Sequence, residues 1–131
     1  MQRPNKARSG LILLAALVSM GAGPQEAAHK IHGFWSPPDG GRVEISNCGD
    51  TLCAYIREDE AEKEKDSLDG YLLFENFVYA GELRWHQGKI RNPRNGKIYK
   101  SKLRLLSDGR LRVKGCLWVF CGGQTWTRIE D

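Results

Sequence analysis

KIYKSKLRLLSDGRLRVK, residues 97–114, is the stretch that decides the fold. From position 99 to position 105 every second residue is apolar or small, and the residues between them are lysine or arginine. Residues 107–109, SDG, are typical of a tight turn, and residues 110–114 alternate again. Strict alternation predicts strands with one buried face, so this stretch predicts an antiparallel hairpin.

The period of two continues through most of the remaining chain. Strand-like segments lie at residues 42–46, 53–57, 71–79, 82–86, 89–91 and 124–129. Together with the hairpin they make seven or eight short strands joined by turns, and no long helix is indicated. We therefore predict an all-β fold, a small antiparallel up-and-down barrel, because closing on itself is the simplest way for such a sheet to remove its edges.

The beginning of the chain has the pattern of a secretory signal peptide. The first ten residues carry three basic residues and no acid, an apolar run follows over 11–20, and small residues come next. The run is too short to span a bilayer, which takes about 20 residues. We predict a soluble periplasmic or secreted protein, with 1–28 as signal peptide and short flexible segment, cleavage within 21–28, and 29–131 as one barrel domain.

Charge argues against a nucleic-acid partner. Three of the 20 lysines and arginines lie in the leader, so the cations of the exported part barely outnumber the 16 acids. The basic isoelectric point of the whole chain therefore belongs mostly to the leader. A strongly basic exported domain, the usual sign of nucleic-acid binding, is not present.

The chain has four cysteines, Cys48, Cys53, Cys116 and Cys121, which form two pairs with the same spacing. In an oxidising compartment four cysteines predict two disulfides, which three connectivities allow. Because each pair flanks four residues between strand-like segments, we predict that Cys48 bonds Cys53 and Cys116 bonds Cys121 across two hairpins. The alternative is a four-cysteine zinc site or redox chemistry, but the usual zinc knuckle has two intervening residues.

The face of the hairpin opposite its apolar face is basic. Lysine or arginine occupies positions 100, 102 and 104 on one strand and 110, 112 and 114 on the next. One interpretation is a patch for an anionic partner, such as lipid headgroups or an acidic protein. The simpler interpretation, which we favour, is the solvated outer surface of the barrel.

Catalytic and metal-binding patterns are not found in the sequence. His29 and His32 precede the first strand, and His86 lies at a strand end. The pair His29 and His32 lacks further ligands nearby, so we read them as ordinary surface histidines. Neither a nucleophile-elbow motif nor a phosphate-binding glycine loop occurs. We expect no enzyme activity, no cofactor and no metal site.

The two ends of the barrel domain carry residues that suit a closure. Gly33 and Trp35 open the domain, and Trp126 and Arg128 close it. In a closed barrel the first and last strands are neighbours, so we expect Arg128 to cover the Trp35 ring through a cation–π contact. Gly33, Trp35 and Arg128 are therefore predicted to close the barrel, and they resemble the Gly-x-Trp and late arginine of lipocalin-like barrels.

Three longer motifs resemble one family of exported bacterial proteins. They are GFWSPPDGGRVEISNCGDTLCAYI at 33–56, GKIRNPRNGKIYKSKLRLLSDGRLRVKGC at 88–116 and CGGQTWTRI at 121–129. The family is called domain of unknown function 2147. The resemblance implies a lipocalin-like barrel in the bacterial envelope with no established activity. Its matching positions are Gly33, Trp35, Asp39, Gly40, Cys48, Gly49, Cys53, Pro93, Gly96, Tyr99, Gly109, Leu111, Gly115, Thr125, Trp126 and Arg128.

The chain departs from the family pattern at residues 58–81. Relatives usually carry an Asp-x-x-Asn-Pro stretch and an arginine-containing segment there, whereas this chain has EDEAEKEKDSLDGYLLFENFVYAG. The charged first half, residues 58–69, is either a solvated loop or one short surface helix. If this segment borders a ligand site, its chemistry is not inherited from relatives.

Two functions are open from the sequence. The leading hypothesis is a module that binds a small, partly hydrophobic ligand inside the barrel, with Tyr55, Phe74, Trp85 and Tyr99 as lining, together with Trp35. The same rings could instead fill a small barrel completely. The rival is an envelope protein-interaction or inhibitor module. It would dock through the loop residues Leu117, Trp118, Val119 and Phe120, which are apolar although turns are usually polar. The alternative for this loop is that it folds inward and caps the end of the barrel.

Overall fold

The computed structural model describes residues 24–58, 67–117 and 120–130. One short helix precedes eight strands. The elements are α1 (Pro24–His29), β1 (Gly33–Ser36), β2 (Val43–Cys48), β3 (Thr51–Ile56), β4 (Leu72–Gly81), β5 (Arg84–Arg91), β6 (Ile98–Leu105), β7 (Leu111–Leu117) and β8 (Phe120–Ile129).

The strands form a closed antiparallel barrel in chain order. Each strand pairs with the next, and β1 closes the circle against β8, with Trp35 opposite Arg128. The prediction of an all-β up-and-down barrel with seven or eight strands is therefore confirmed, and the number is eight. No helix within the described residues is long and apolar enough to cross a membrane.

The hairpin of β6 and β7 follows its alternating sequence. Ser101 and Leu103 are buried, while Lys102 between them and Arg104 after them are exposed. The turn that joins the strands places Gly109 at a φ of 88°, a left-handed conformation that glycine adopts without steric cost. The pattern, the turn residue and the observed register thus agree.

Residues 82–91 depart from the prediction of two separate pieces, because β5 runs through them without interruption from Arg84 to Arg91. The alternation breaks at Gln87, which has a left-handed φ of 65° and shifts the register between Trp85 and Gly88. On the neighbouring strand Asn76 has a φ of 70°, and its side chain donates a hydrogen bond of 3.1 Å to the Gln87 carbonyl oxygen. These two facing irregularities are β-bulges, which re-aim side chains along a strand.

The bulges turn an additional aromatic ring into the barrel. Phe74 and Phe77 are three positions apart on β4, yet both are buried. Their ring centroids lie 4.8 Å apart in an edge-to-face arrangement. Phe74 also stacks on Trp126 with centroids 6.2 Å apart. Each such ring contributes roughly 1.5–3 kcal/mol through burial, so aromatic packing dominates this core.

The cysteines bond as predicted. One disulfide joins Cys48 to Cys53 across the turn between β2 and β3, and the other joins Cys116 to Cys121 between β7 and β8. Cys116 and Cys121 lie directly opposite each other in the sheet. Both bonds therefore fix hairpins rather than connect distant parts of the barrel.

Helix α1 was not predicted from the sequence, and most of the charged segment 58–69 lies outside the described residues. Helix α1 occupies residues that the sequence places in a signal peptide and a flexible segment, and Ile31 just after it is fully buried. The charged segment between β3 and β4 is described only at its two ends, so the choice between a loop and a helix for 58–69 lies mostly outside the described residues. At its edges Ser67 Oγ donates a hydrogen bond of 2.5 Å to Glu58 Oε2.

Candidate functional site

One end of the barrel is sealed by Arg128. Its guanidinium lies 4.3 Å above the centre of the Trp35 ring, within cation–π range. Its Nη1 donates a hydrogen bond of 3.0 Å to the His32 carbonyl oxygen, and Nη2 donates to the Lys30 carbonyl oxygen. Trp35 Nε1 donates in turn to the Ile31 carbonyl oxygen at 2.9 Å. The last strand thus holds the segment before β1 against the barrel.

Gly33 belongs to this closure for a steric reason. Its φ of 128° lies in the region that side chains rarely adopt, and a Cβ there would lie 3.0 Å from Arg128 Nη1. Any larger residue would press on the arginine that covers Trp35. The three residues predicted to close the barrel, Gly33, Trp35 and Arg128, are therefore brought together at one end.

A cavity of about 60 Å³ lies beside α1 at the same end. One wall is polar and comes from the turn between β2 and β3, and the other wall is apolar and comes from β3, β4 and β5. Because Asn47 and Asp50 are exposed, the cavity opens to solvent near that turn. Its lining consists of Ala28, Asn47, Asp50, Thr51, Leu52, Phe77, Tyr79 and Trp85.

Trp85 carries an unsatisfied hydrogen-bond donor. Its side chain is 1% exposed, and within the described residues its Nε1 has no hydrogen-bond partner. Trp126, equally buried, donates from Nε1 to Gln124 Oε1 at 3.0 Å. A buried donor without a partner costs about 1–3 kcal/mol, and nearly all buried polar groups in proteins are paired. Trp85 is therefore the group in the core that most requires an acceptor from elsewhere.

The surroundings of Trp85 are fixed by the turn between β4 and β5. Leu83, which has a left-handed φ of 57°, donates its backbone N–H to the Tyr79 hydroxyl oxygen at 3.1 Å. The Tyr79 ring lies 5.1 Å from the Trp85 ring, centroid to centroid. The turn thus holds Tyr79, and Tyr79 packs against Trp85.

The predicted lining residues are divided between the two faces of the barrel. Phe74 and Trp85 are buried inside. Tyr99 is half-buried on the inward face of β6, next to Gly115.

Tyr55 lies on the outer face instead. It is opposite Glu44, and the Arg57 guanidinium lies 5.0 Å from the centre of its ring. The reason is alternation, because its neighbour Ala54 takes the fully buried position on β3. Tyr55 is therefore not part of the interior.

The predicted interaction loop is partly described. Leu117 and Phe120 are paired across the ends of β7 and β8, and their exposed fractions are 38% and 73%. Trp118 and Val119 lie outside the described residues. The two described members thus present apolar surface to solvent next to the Cys116–Cys121 disulfide.

No group of three or more potential metal ligands is found among the residues described, namely 24–58, 67–117 and 120–130. The rings of His29 and His32 lie 4.7 Å apart. His32 Nε2 lies 3.2 Å from Asn47 Oδ1, a hydrogen bond that occupies this nitrogen. His32 is therefore linked to Asn47, a residue of the cavity lining.

Several cavity residues could not be found from the sequence. Asn47 and Thr51 flank the first cysteine turn, where polar residues are ordinary. Ala28 lies in the segment read as the end of the leader, and only the helix brings it to the cavity. Tyr79 ends the apolar segment 71–79, but the sequence does not indicate that its hydroxyl accepts a hydrogen bond from the turn that follows.

A comparison with protein families identifies the relationship of this chain. Residues 33–128 match the model of domain of unknown function 2147, described as an uncharacterized protein conserved in bacteria. The chain belongs to this family.

A solved structure supports the fold. Protein HP1028 from the human pathogen Helicobacter pylori, described as belonging to the lipocalin family, matches with a TM-score of 0.64 and 17% identity. The match covers 77% of this chain and 84% of that protein. At this identity the similarity establishes a lipocalin-like barrel and nothing about the ligand. No curated protein matches the chain.

Proposed function

We propose that this family member is an exported, non-catalytic barrel that binds a small, partly hydrophobic molecule beside α1. The observation that supports the proposal is Trp85, whose indole N–H is buried without a partner in the described part of the chain and which is one of the residues that line a cavity open to solvent. A ligand that supplies an acceptor would remove a cost of about 1–3 kcal/mol. The lipocalin-like fold is consistent with this role.

The cavity indicates what kind of ligand end would enter. Its volume of about 60 Å³ corresponds to roughly two water molecules at about 30 Å³ each, which is enough for one terminal functional group. Asp50 lies at its wall, so an uncharged acceptor such as a carbonyl, amide or hydroxyl oxygen suits the site better than an anion. The apolar part of the ligand would contact Leu52, Phe77 and Tyr79.

The proposed location is the periplasm or the extracellular medium. The leader pattern at the start of the chain supports export. The two disulfides also suit an oxidising compartment, since cytosolic proteins rarely keep them. Fractionation of cells followed by N-terminal sequencing of the mature protein tests this, with a cleaved chain in the periplasm or medium as the expected result.

Native mass spectrometry of the protein purified from the periplasm tests ligand binding directly. We expect a co-purifying small molecule on the wild type. Trp85→Phe, which keeps a ring but removes the donor, should lose it. Trp126→Phe is the matched control, because the Trp126 donor already has Gln124 as its acceptor. Circular dichroism verifies that both variants fold. A wild type without any bound molecule, or equal retention in Trp85→Phe, would contradict the proposal.

A second candidate function is supported by the exposed pair at the tip of β7 and β8. Phe120 is 73% exposed and Leu117 is 38% exposed, and the adjacent disulfide holds the strand ends together. Rigid apolar groups of this kind serve as anchors in protein interfaces. Phe120→Ser should abolish the cross-linking of a periplasmic protein without changing the melting temperature. Leu68→Ser, at a residue that is 37% exposed elsewhere, is the control that should keep the cross-link.

A further inference from the structure

The outer face of β5, β6 and β7 brings like charges directly opposite each other. Lys102 is opposite Lys114, and Arg104 is opposite Arg112. On its other side Arg104 is opposite Arg84. Directly opposed side chains in an antiparallel sheet have Cβ atoms about 4.5–5.5 Å apart, and like charges at this separation are destabilising. Three such pairs lie side by side on one face.

Acidic residues do little to neutralise this face. Glu82 pairs with Arg84 at 2.7 Å. Within the described residues Lys102, Arg104 and Lys114 form no ion pair with an acid. A solvated surface would be expected to intersperse both signs of charge. The concentration of one sign therefore needs a reason beyond solubility.

The same residues surround a concavity of about 550 Å³. This volume lies in the range of about 300–1,000 Å³ that is usual for small-molecule sites. Trp85 and Leu103, whose side chains are buried, form part of its boundary. The cationic part of the lining consists of Arg84, Lys102, Arg104, Arg112 and Lys114, with His86 beside them.

Arg112 is held in place before any ligand arrives. Its Nη1 donates a hydrogen bond of 3.3 Å to Thr125 Oγ1 on β8. Its guanidinium lies across Gly123, where a Cβ would come within 2.6 Å of Nη2. The absence of a side chain at Gly123 leaves the space that the guanidinium fills. A positioned arginine loses less side-chain entropy on binding than a free one.

We propose that this groove binds a small ligand bearing two or more phosphate groups. Arginine guanidinium groups match phosphate oxygens with paired hydrogen bonds. Alternate residues on a strand are about 6.6 Å apart, so Lys102 and Arg104 on β6 contact successive phosphates while Arg112 and Lys114 contact them from β7. The ligand relieves the repulsion between the three opposed pairs. The groove shares Trp85 with the cavity beside α1 but lies on the outer face of the sheet, and this proposal does not rest on the proposed function.

Tripolyphosphate is the probe for this site, measured by isothermal titration calorimetry and thermal melting at low salt. We expect binding that weakens steeply with added salt and a higher melting temperature of the wild type with the probe. Arg104→Gln should weaken binding at least tenfold. In the absence of the probe this variant should melt at the same temperature as the wild type or higher, because the residue at position 104 no longer repels Arg84 on β5 and Arg112 on β7.

Lys97→Gln is the control for net charge, since Lys97 is exposed and lies outside the groove. It should change affinity less than twofold. Vesicles containing cardiolipin, whose headgroup carries two phosphates, distinguish a lipid headgroup from a soluble phosphate. Binding of either probe that is lost in Arg104→Gln supports the proposal. The proposal is overturned if neither probe binds, or if Lys97→Gln weakens binding as much as Arg104→Gln.

Discussion

Phe77 packs against Gly88 so closely that a Cβ at position 88 would lie 2.2 Å from the ring. The ring reaches this position because the bulges at Asn76 and Gln87 break the alternation of β4 and β5. Phe77 also lines the cavity beside α1. The cavity can therefore keep its shape only if residue 88 has no side chain, because Phe77 occupies that space.

Gly88→Ala should lower the free energy of unfolding by about 2 kcal/mol, because overpacking in a core forces side chains away from their rotamers. The measurement is urea unfolding followed by tryptophan fluorescence. Gly122→Ala is the matched strand control, since in the described part of the chain no atom lies within 4 Å of its added Cβ. The control should change stability by less than about 0.5 kcal/mol. Equal effects of the two substitutions would refute the packing argument.

Arg128→Ala should also lower the free energy of unfolding by about 2 kcal/mol. It removes the cation–π contact with Trp35 and the hydrogen bonds to two backbone carbonyl oxygens. The control is Arg110→Ala, whose exposed ion pair with Asp108 is worth little. Guanidinium unfolding curves should show the larger shift for Arg128→Ala. Closure by Arg128 would be ruled out if its curve overlaid that of the wild type.

Replacing Cys116 and Cys121 together by serine should cost about 2 kcal/mol, the chain-entropy value for so short a loop. The native protein should react with no thiol reagent before reduction, because all four cysteines are bonded. Mass spectrometry after alkylation checks this. Finding four reactive thiols in protein taken directly from the periplasm would contradict both the pairing and the proposed location.

The turn between β6 and β7 should show a measurable pH dependence at Asp108. A hydrogen bond from the Arg110 backbone N–H, and then one from the Arg110 side chain, hold the pKa of the Asp108 carboxyl below its ordinary value. The interaction is therefore complete above the ordinary aspartate pKa and is lost as the pH falls through the lowered one. Arg110→Ala should raise the pKa in a carbon-13 NMR titration, and an unchanged midpoint would argue against the contact.

Much of the fold could be predicted because its signals are local. Alternation over residues 97–114 predicted the hairpin that the structure shows. The equal spacing of the cysteines predicted the two disulfides that the structure shows. The positions of Trp35 and Arg128 at opposite ends of the domain indicated that β1 and β8 are neighbours. Each of these inferences depended only on the alternation of residues along a strand, the spacing of cysteines, or the positions of residues at the two ends of the domain.

The candidate site could not be predicted because its shape depends on departures from those periods. Asn76 and Gln87 take left-handed conformations, which the sequence does not indicate because neither residue is a glycine. Without these two bulges Phe77 would not be expected to point inward. The outward position of Tyr55 depends on where the alternation of β3 falls after the cysteine turn. The unpaired Trp85 donor results from the packing of the whole core.

The claim that Trp85 receives an acceptor from a bound molecule is tested most directly by its indole N–H signal in a proton–nitrogen NMR spectrum. Two samples are compared: protein purified under native conditions from the periplasm, and the same protein after unfolding, dialysis and refolding. The Trp85 signal, identified by its loss in Trp85→Phe, should move between the samples while the Trp126 signal stays in place. Coincident Trp85 signals in the two samples would contradict the account.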